Sequence, residues 1–454
     1  MKKAHPHSAQ VCALVAAIAV SSGACRKAAP DEVVNTGRTM NTTLVPPAST
    51  GGGGMGGTTG TGGGSGASGG AGGATTGGSA GRAGAGGTGA DPPVSFSKAA
   101  LLAAVSDCAM NHYREFQELA AMLDDKANGA GLTITDFTAL REAWLVVMAR
   151  WQEVELFRFG PMARSVDPGG QNIRDEIYGW PLVSRCGIEE RLVSRAYEAP
   201  DFKTSLINVR GLAAFEYVAF YEGSDNVCST FSTINAQGTW AALGTHGIAQ
   251  RKLEYAAAVS RDIVAHVGAL VSAWAPTGGN FRAQLVSAGN GSSIFASEQK
   301  ALNAVSDALF YVELEAKDWK LGQPLGLGDC GATSCPQALE SLYARQSTAH
   351  LVHNLVGFRK IFQGCEAGNG GFGFDDWLRA VGASDLTDRM LAALTRAEEA
   401  VRTLDPPLEQ ALGTDPAKVM DVYTALKGLT DLLKTEFVTV LNLELPKTTQ
   451  GDND

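Results

Sequence analysis

Glu216 is where chemistry is first expected in this chain. Read at helical spacing, Leu206, Val209, Ala213, Glu216 and Phe220 fall on one stripe. Four of these are ordinary core residues. The fifth is a carboxylate, costly to bury unless it is paired, protonated or bound to a cation. Gly211, Ala213 and Ala214 are small enough to let another helix approach closely. A second stripe, Phe137, Leu140, Trp144, Val147, Met148 and Trp151, continues one turn further to Glu155. Two acids thus point where apolar side chains are expected. If their helices face each other, Glu155 and Glu216 could share a proton or a divalent or ferric ion. The plainer alternative is an ion pair with Arg158, Arg174 or Arg210.

The second half offers fewer such groups. Ser347, His350 and Asn354 lie on or near a stripe of Tyr343, Leu351, Phe358 and Phe362. Buried Ser and Asn usually satisfy neighbouring polar groups, and lining a pocket is the alternative. His350 and His353, at i and i+3, would together suit a soft-to-borderline metal, although helix histidines are more often partly exposed surface residues. There is no His-Glu-x-x-His, no Gly-x-Ser-x-Gly and no spacing that suggests a catalytic triad.

These residues must be positioned by the elements around them. Ser95 or Ser97 caps a helix to about Leu123, and Thr135-Asp136 begins the next, which stops at Phe159-Gly160-Pro161. Helical patterns follow over about 203–221, 236–274, 294–318, 336–363, 385–404 and 415–441. Alternation typical of strands is nowhere sustained, so an all-α body of bundled helices is expected.

The N-terminal region reads differently. Met1-Lys2-Lys3, an apolar run from Val11 to Val20 and then Ser22-Gly23-Ala24-Cys25 make a lipoprotein signal over 1–24. The apolar run is too short to span a membrane permanently. Cleavage before Cys25 and lipidation of its sulfur are expected, with a plain secretory signal as the alternative. Arg26 after that Cys resembles Gram-negative lipoproteins of the outer membrane. Of 55 glycines, 22 fall within residues 51–90. Residues 25–92 have too few bulky apolar side chains to offset ordering entropy. They are read as a disordered tether with a reach of roughly 45 Å. A glycine-rich phosphate loop is the rival reading, disfavoured because no strand precedes the run and no Gly-Lys-Ser/Thr ends it.

Six further cysteines, Cys108, Cys186, Cys228, Cys330, Cys335 and Cys365, suggest disulfides in an exported protein. Cys330 and Cys335 close a small loop. Cys186 with Cys228 and Cys108 with Cys365 are candidate pairs among the many possible. No Cys-x-x-Cys occurs, which disfavours a thiolate metal site. The net charge is −10, and residues 93–454 carry 31 basic and 44 acidic side chains. An acidic body argues against nucleic acid and anionic membrane surfaces as partners, and is compatible with cations.

Several segments resemble one family. Arg210, Gly211, Glu216, Tyr217 and Phe220 match the Gly-x-His-x-x-Glu signature of the imelysin-like (M75 peptidase-like) proteins, with Ala213 at the His position. Trp151-Gln-Glu-Val-Glu155 through Pro161, Trp180-Pro181, and Asp318-Trp-Lys320-Leu-Gly322 through Gly326 resemble further family segments in the same order. So does Glu340-Ser341-Leu-Tyr343 with Ser347, Asn354, Gly357 and Gly364. The resemblance implies two four-helix bundles, about 93–245 and 246–450. It implies pocket or motif roles for Arg174, Trp180, Arg210, Gly211, Ala213, Glu340, Ser341, Ser347 and Asn354. Ala213 removes a ligand or base, since a methyl group neither coordinates nor carries a proton. The expectation is an envelope-anchored lipoprotein that binds metal, above all iron, without catalysis. Its partners would be a membrane, through the lipid, and a metal ion or envelope protein. The alternative is a protein- or peptide-binding surface lipoprotein; a metallopeptidase ranks last.

Overall fold

Ser97 opens the first helix as a cap, its Oγ accepting the Ala100 N–H at 3.1 Å. The computed structural model describes residues 95–449 apart from 130, 131, 136, 329 and 331. The signal peptide, the lipidation at Cys25 and the tether lie outside the described residues. Eight principal helices carry the architecture: α1 (Lys98–Asn128), α2 (Thr138–Val154), α3 (Gly211–Phe220), α4 (Thr239–Trp274), α5 (Val312–Gly322), α6 (Ser347–Gln363), α7 (Ser384–Arg402) and α8 (Pro416–Leu432). Shorter helices fill the connections, and no strand occurs among the described residues.

The chain is all-α, built as two four-helix bundles. In the first, α1 packs on α2 and α4, and α3 packs on α2 and α4. In the second, α6 packs on α5 and α7, and α8 packs on α5 and α7. The bundles meet chiefly where α2 lies against α6. Gly357 permits that contact: a Cβ there would stand 2.8 Å from the Glu153 carbonyl oxygen. A boundary at 245/246 does not follow the packing. The chain kinks at Gly244 (φ 60°, ψ 173°), but the long remainder of α4 covers α1 and α3. Its Tyr255, Val259, Ile263, Val267 and Leu270 are all fully buried. α4 is long and apolar enough to cross a membrane, yet here it is the core helix of the first bundle.

Two expected helices begin later than their periodicity suggests. Residues 203–210 form only single 3₁₀ turns, because Gly211 takes φ +79° and Arg210 is extended. A Cβ on Gly211 would stand 2.6 Å from the Ile177 carbonyl oxygen, so the chain turns tightly there against the helix Ile173–Tyr178. Leu206, expected on the Glu216 stripe, lies outside α3 and is 70% exposed. Likewise 336–346 is irregular apart from one 3₁₀ turn, with Arg345 at φ 58°, and α6 starts only at Ser347.

The cysteines pair as Cys108–Cys365, Cys186–Cys228 and Cys330–Cys335, with Cα separations of 5.7, 4.8 and 6.4 Å. The first ties α1 to the turn after α6. The second ties the helix Arg185–Ser194 to the loop after α3.

Candidate functional site

The α2–α6 contact contains a buried charged centre. From α2 come Gln152 and Glu155, and from the helix Ile173–Tyr178 come Arg174 and Tyr178. α5 supplies Lys320. Its hydrogen bonding runs from i to i+5, a wide turn often found at functional positions, and it buries Glu313, Glu315, Lys317 and Lys320 together. α6 supplies His350 and Asn354, and the irregular stretch before it supplies Glu340 and Ser341.

Lys320 is the hub. Its ammonium lies 2.6 Å from Gln152 Oε1, 2.8 Å from Asn354 Oδ1, 2.9 Å from Glu340 Oε1 and 3.4 Å from Glu155 Oε1. Trp180 and Tyr311 face it with their rings, at 5.7 and 5.3 Å. Glu155 has no free oxygen. Oε1 also accepts from the Tyr311 hydroxyl at 2.5 Å, and Oε2 from Arg174 at 3.2 Å. Arg174 is fixed in turn by the Trp180 carbonyl at 2.8 Å. Burial alone would lower the Arg174 pKa; Glu155 and its neighbours overturn that and raise it. The sequence leaves both an arginine and a metal open for Glu155, and the structure places Arg174 and Lys320 there. A further cation beside two fixed positive charges would be repelled, so Glu155 does not fit a metal ion.

Glu216 stands apart from any arginine. Its Oε1 accepts from Ser341 Oγ at 3.2 Å and from the N–H groups of Tyr343 and Ala344 at 3.0 and 2.9 Å. These N–H groups are available because residues 336–346 are not helical. All of these bonds end on Oε1, and no ion pair reaches Glu216 among the described residues. Burial pushes its carboxyl up to about 7, against the three donors. Arg210, the other candidate partner, turns elsewhere. It bonds Glu176 and lies 3.3 Å from Asp262 and 2.9 Å from His266 Nε2. Arg158 pairs with Glu315.

Glu340 anchors the second half of the centre. Its Oε1 accepts from Tyr178 at 2.6 Å and Gln152 at 2.9 Å, and its Oε2 faces His350 Nδ1 at 3.0 Å. Burial pushes Glu340 up, but Lys320 and His350 outweigh it and hold the carboxyl below its ordinary range. Because a carboxylate only accepts, His350 Nδ1 carries hydrogen. That leaves His350 Nε2 buried, with no hydrogen-bond partner among the described residues. A carboxylate fixing Nδ1 while Nε2 stays free is the usual support of a metal-ligating histidine. His350 also faces Trp144, ring centroids 6.3 Å apart, and Trp144 donates to the Leu212 carbonyl next to Ala213. His353 points away, its Nδ1 3.0 Å from Glu153 Oε1. Burial pushes Glu153 up, but His353, Lys360 and Arg150 bring it down to about 2.

The remaining expected residues are structural around this centre. Asn354 donates to the Gln152 carbonyl and side chain, both at 2.8 Å. Ser347 Oγ accepts the Ser341 N–H at 3.4 Å, and its own N–H bonds Glu409 at 2.8 Å. Ala213 is buried. The sequence alone points to no role for Lys320, Tyr178, Tyr311 or Gln152. Lys320 and Gln152 lie inside the family-like segments, but nothing in one helix shows which charge waits on another. Among the described residues, two groups of side chains have metal-ligand spacing, Cys108/His112/Cys365 and Cys186/Glu190/Cys228. Each includes a closed disulfide, so its sulfurs are not thiolate ligands.

Known proteins share the all-helical fold of this chain. The family profile described as imelysin, the M75 peptidases, matches residues 109–435. Iron-regulated protein A of Synechococcus elongatus is 21% identical over 308 residues, covering 67% of this chain and 75% of that protein. Among solved structures, an iron-regulated protein A precursor from Parabacteroides distasonis superposes with a TM-score of 0.58 at 17% identity, covering 77% of this chain and 96% of that one. An imelysin-like protein from Psychrobacter arcticum gives 0.52 at 17% identity, covering 78% and 99%. At these identities the solved structures establish the fold alone.

Proposed function

Because the chain belongs to the imelysin family, we propose that it is a binding protein of the bacterial envelope with an iron-related role, and not a peptidase. In this reading it is a lipoprotein, held by Cys25 at the outer membrane. It takes a borderline metal ion, ferrous iron first, through His350 Nε2 with Glu216 as the acidic partner. The observation that carries the reading is the orphaned Nε2 of His350, backed by Glu340. One imidazole nitrogen and one carboxylate oxygen form a donor set suited to first-row transition metals. Peptidase chemistry is disfavoured because the other charged groups of the centre are spent on each other. Glu155 and Glu340 both pair with Lys320, so neither is free to act as a general base.

Isothermal titration of the full-length protein in detergent with ferrous, ferric, zinc and copper ions tests this. Saturable binding is expected, weakened about tenfold or more by His350→Gln and by Glu216→Gln, and unchanged by His353→Gln. Flat titrations with all four ions would remove the metal reading. Casein cleavage lost on Glu216→Ala would restore the peptidase one.

A further inference from the structure

The disulfide Cys108–Cys365 joins α1 of the first bundle to the turn after α6 of the second. No other disulfide among the described residues links the bundles. Its two ends differ. Cys108 is 4% exposed, whereas Cys365 is only partly buried. An attacking thiol can therefore approach Cys365 and not Cys108. Around the inner sulfur, one turn further along α1, stands the buried His112. Lys360, on α6, holds its ammonium 2.9 Å from His112 Nε2. An ammonium only donates, so Nε2 accepts and the ring hydrogen is on Nδ1. Nδ1 lies 3.0 Å from the Cys108 carbonyl oxygen and 4.0 Å from Cys108 Sγ.

Burial, then Lys360, hold the His112 pKa below its ordinary value, so the imidazole is neutral. Glu153 lies 3.1 Å from Lys360, yet Lys360 and Arg150 each act on the ring more strongly than Glu153 does. The inner sulfur thus has an N–H donor and net positive charge beside it. Such surroundings stabilise a thiolate and make that sulfur the better leaving group. Cys186–Cys228 is built the other way. Glu189 gives its Oε1 to Arg185 and turns Oε2 to Cys228 Sγ, 3.7 Å away, and Glu190 stands close to the same sulfurs. A thiolate leaving there would meet carboxylates.

We propose that Cys108–Cys365 exchanges with thiols, and that Cys365 is the sulfur they modify. An incoming thiolate forms a bond to Cys365 Sγ. The Cys108–Cys365 bond breaks, and its electron pair leaves on Cys108 Sγ, where the His112 Nδ1–H receives it. A monothiol stops there, as a mixed disulfide on Cys365. A dithiol goes on: its second sulfur attacks the first, releases Cys365 as a thiolate and closes its own disulfide. The dithiol is then oxidised by two electrons, and its two protons pass to the cysteines. His112 and Lys360 position and stabilise the leaving sulfur. Opening removes the covalent tie between the bundles, and it involves neither His350 nor Glu216.

The test treats the folded full-length protein in detergent with reduced glutathione or with dithiothreitol. The reaction is quenched with acid at timed intervals, free thiols are alkylated, and peptides are read by mass spectrometry. With glutathione, the adduct is expected on Cys365 and the alkyl group on Cys108. Opening should outpace that of Cys186–Cys228 by about tenfold or more. His112→Leu and Lys360→Met should each slow it by about tenfold or more. His112→Asn, whose amide N–H can stand near the place of Nδ1, should keep most of the rate, which a mere space-filling role for the ring would not explain. A lasting glutathione adduct assigns the exchange to small monothiols as well. Opening by dithiothreitol alone, with the same dependence on His112 and Lys360, assigns it to dithiols. An adduct on Cys108, or rates unchanged in both His112→Leu and Lys360→Met, overturns the proposal. So does opening by either thiol only when circular dichroism shows the whole chain unfolding.

Discussion

Glu216 shows how much one carboxyl depends on its surroundings. Its folded pKa, about 7, lies above the ordinary value, so the folded state holds this proton more tightly than the unfolded chain. The stability from this group is therefore fully present below the unfolded pKa and is lost as pH rises through 7. Glu216→Gln is expected to match wild type near pH 4 and to exceed it at pH 8, by on the order of 3 kcal/mol at most. Thermal melts in the presence of a chelator, compared across pH, read the difference. A variant less stable than wild type at pH 8 would mean that the ionised carboxylate is favoured where it stands. The position of this acid was legible from its stripe, but its partners were not. An arginine or a shared cation was expected, and the donors proved to be a hydroxyl and two backbone N–H groups from a turn 125 residues or more away. Backbone donors leave no trace in residue type.

At the scale of elements, helical periodicity was a good guide wherever φ stayed negative. It failed at 203–210 and 336–346, where Gly211 and Arg345 take positive φ and the chain turns. The second failure borders the site: a helix over 336–346 would have consumed the N–H groups that Glu216 uses. Periodicity also assigns each helix a face without saying which faces meet. Lys320 and Glu155 were each visible, but their meeting needed the packing of α5 on α6 and of α6 on α2. That packing rests on Gly357. Gly→Ala inside a helix ordinarily stabilises by up to about 1 kcal/mol. Here the added methyl would meet the Glu153 carbonyl oxygen at 2.8 Å and its Cα at 3.2 Å. Gly357→Ala is thus expected to destabilise by about 1–3 kcal/mol. Chemical denaturation checks the sign; a stabilised variant would show that α2 and α6 have room to separate.

For the molecule as a whole, the disulfides differ in what they constrain. Cys108–Cys365 closes a separation of 257 residues and Cys330–Cys335 one of 5. On chain entropy the first would contribute roughly 5 kcal/mol and the second about 2 kcal/mol. Replacing each pair by serine and measuring unfolding should rank Cys108/Cys365 as the costlier loss. The reverse order would place the effect in local contacts instead.

The charged centre draws Gln152, Glu155, Arg174 and Tyr178 from one bundle, and Lys320, Glu340, His350 and Asn354 from the other. A half transplanted by recombination into a foreign protein would arrive with ions whose counterparts stayed behind. Stranding even one such buried charge costs about 3–5 kcal/mol, a large share of a domain's margin. Gene shuffling can therefore exchange these halves only as a matched set, and the two are bound to a common inheritance.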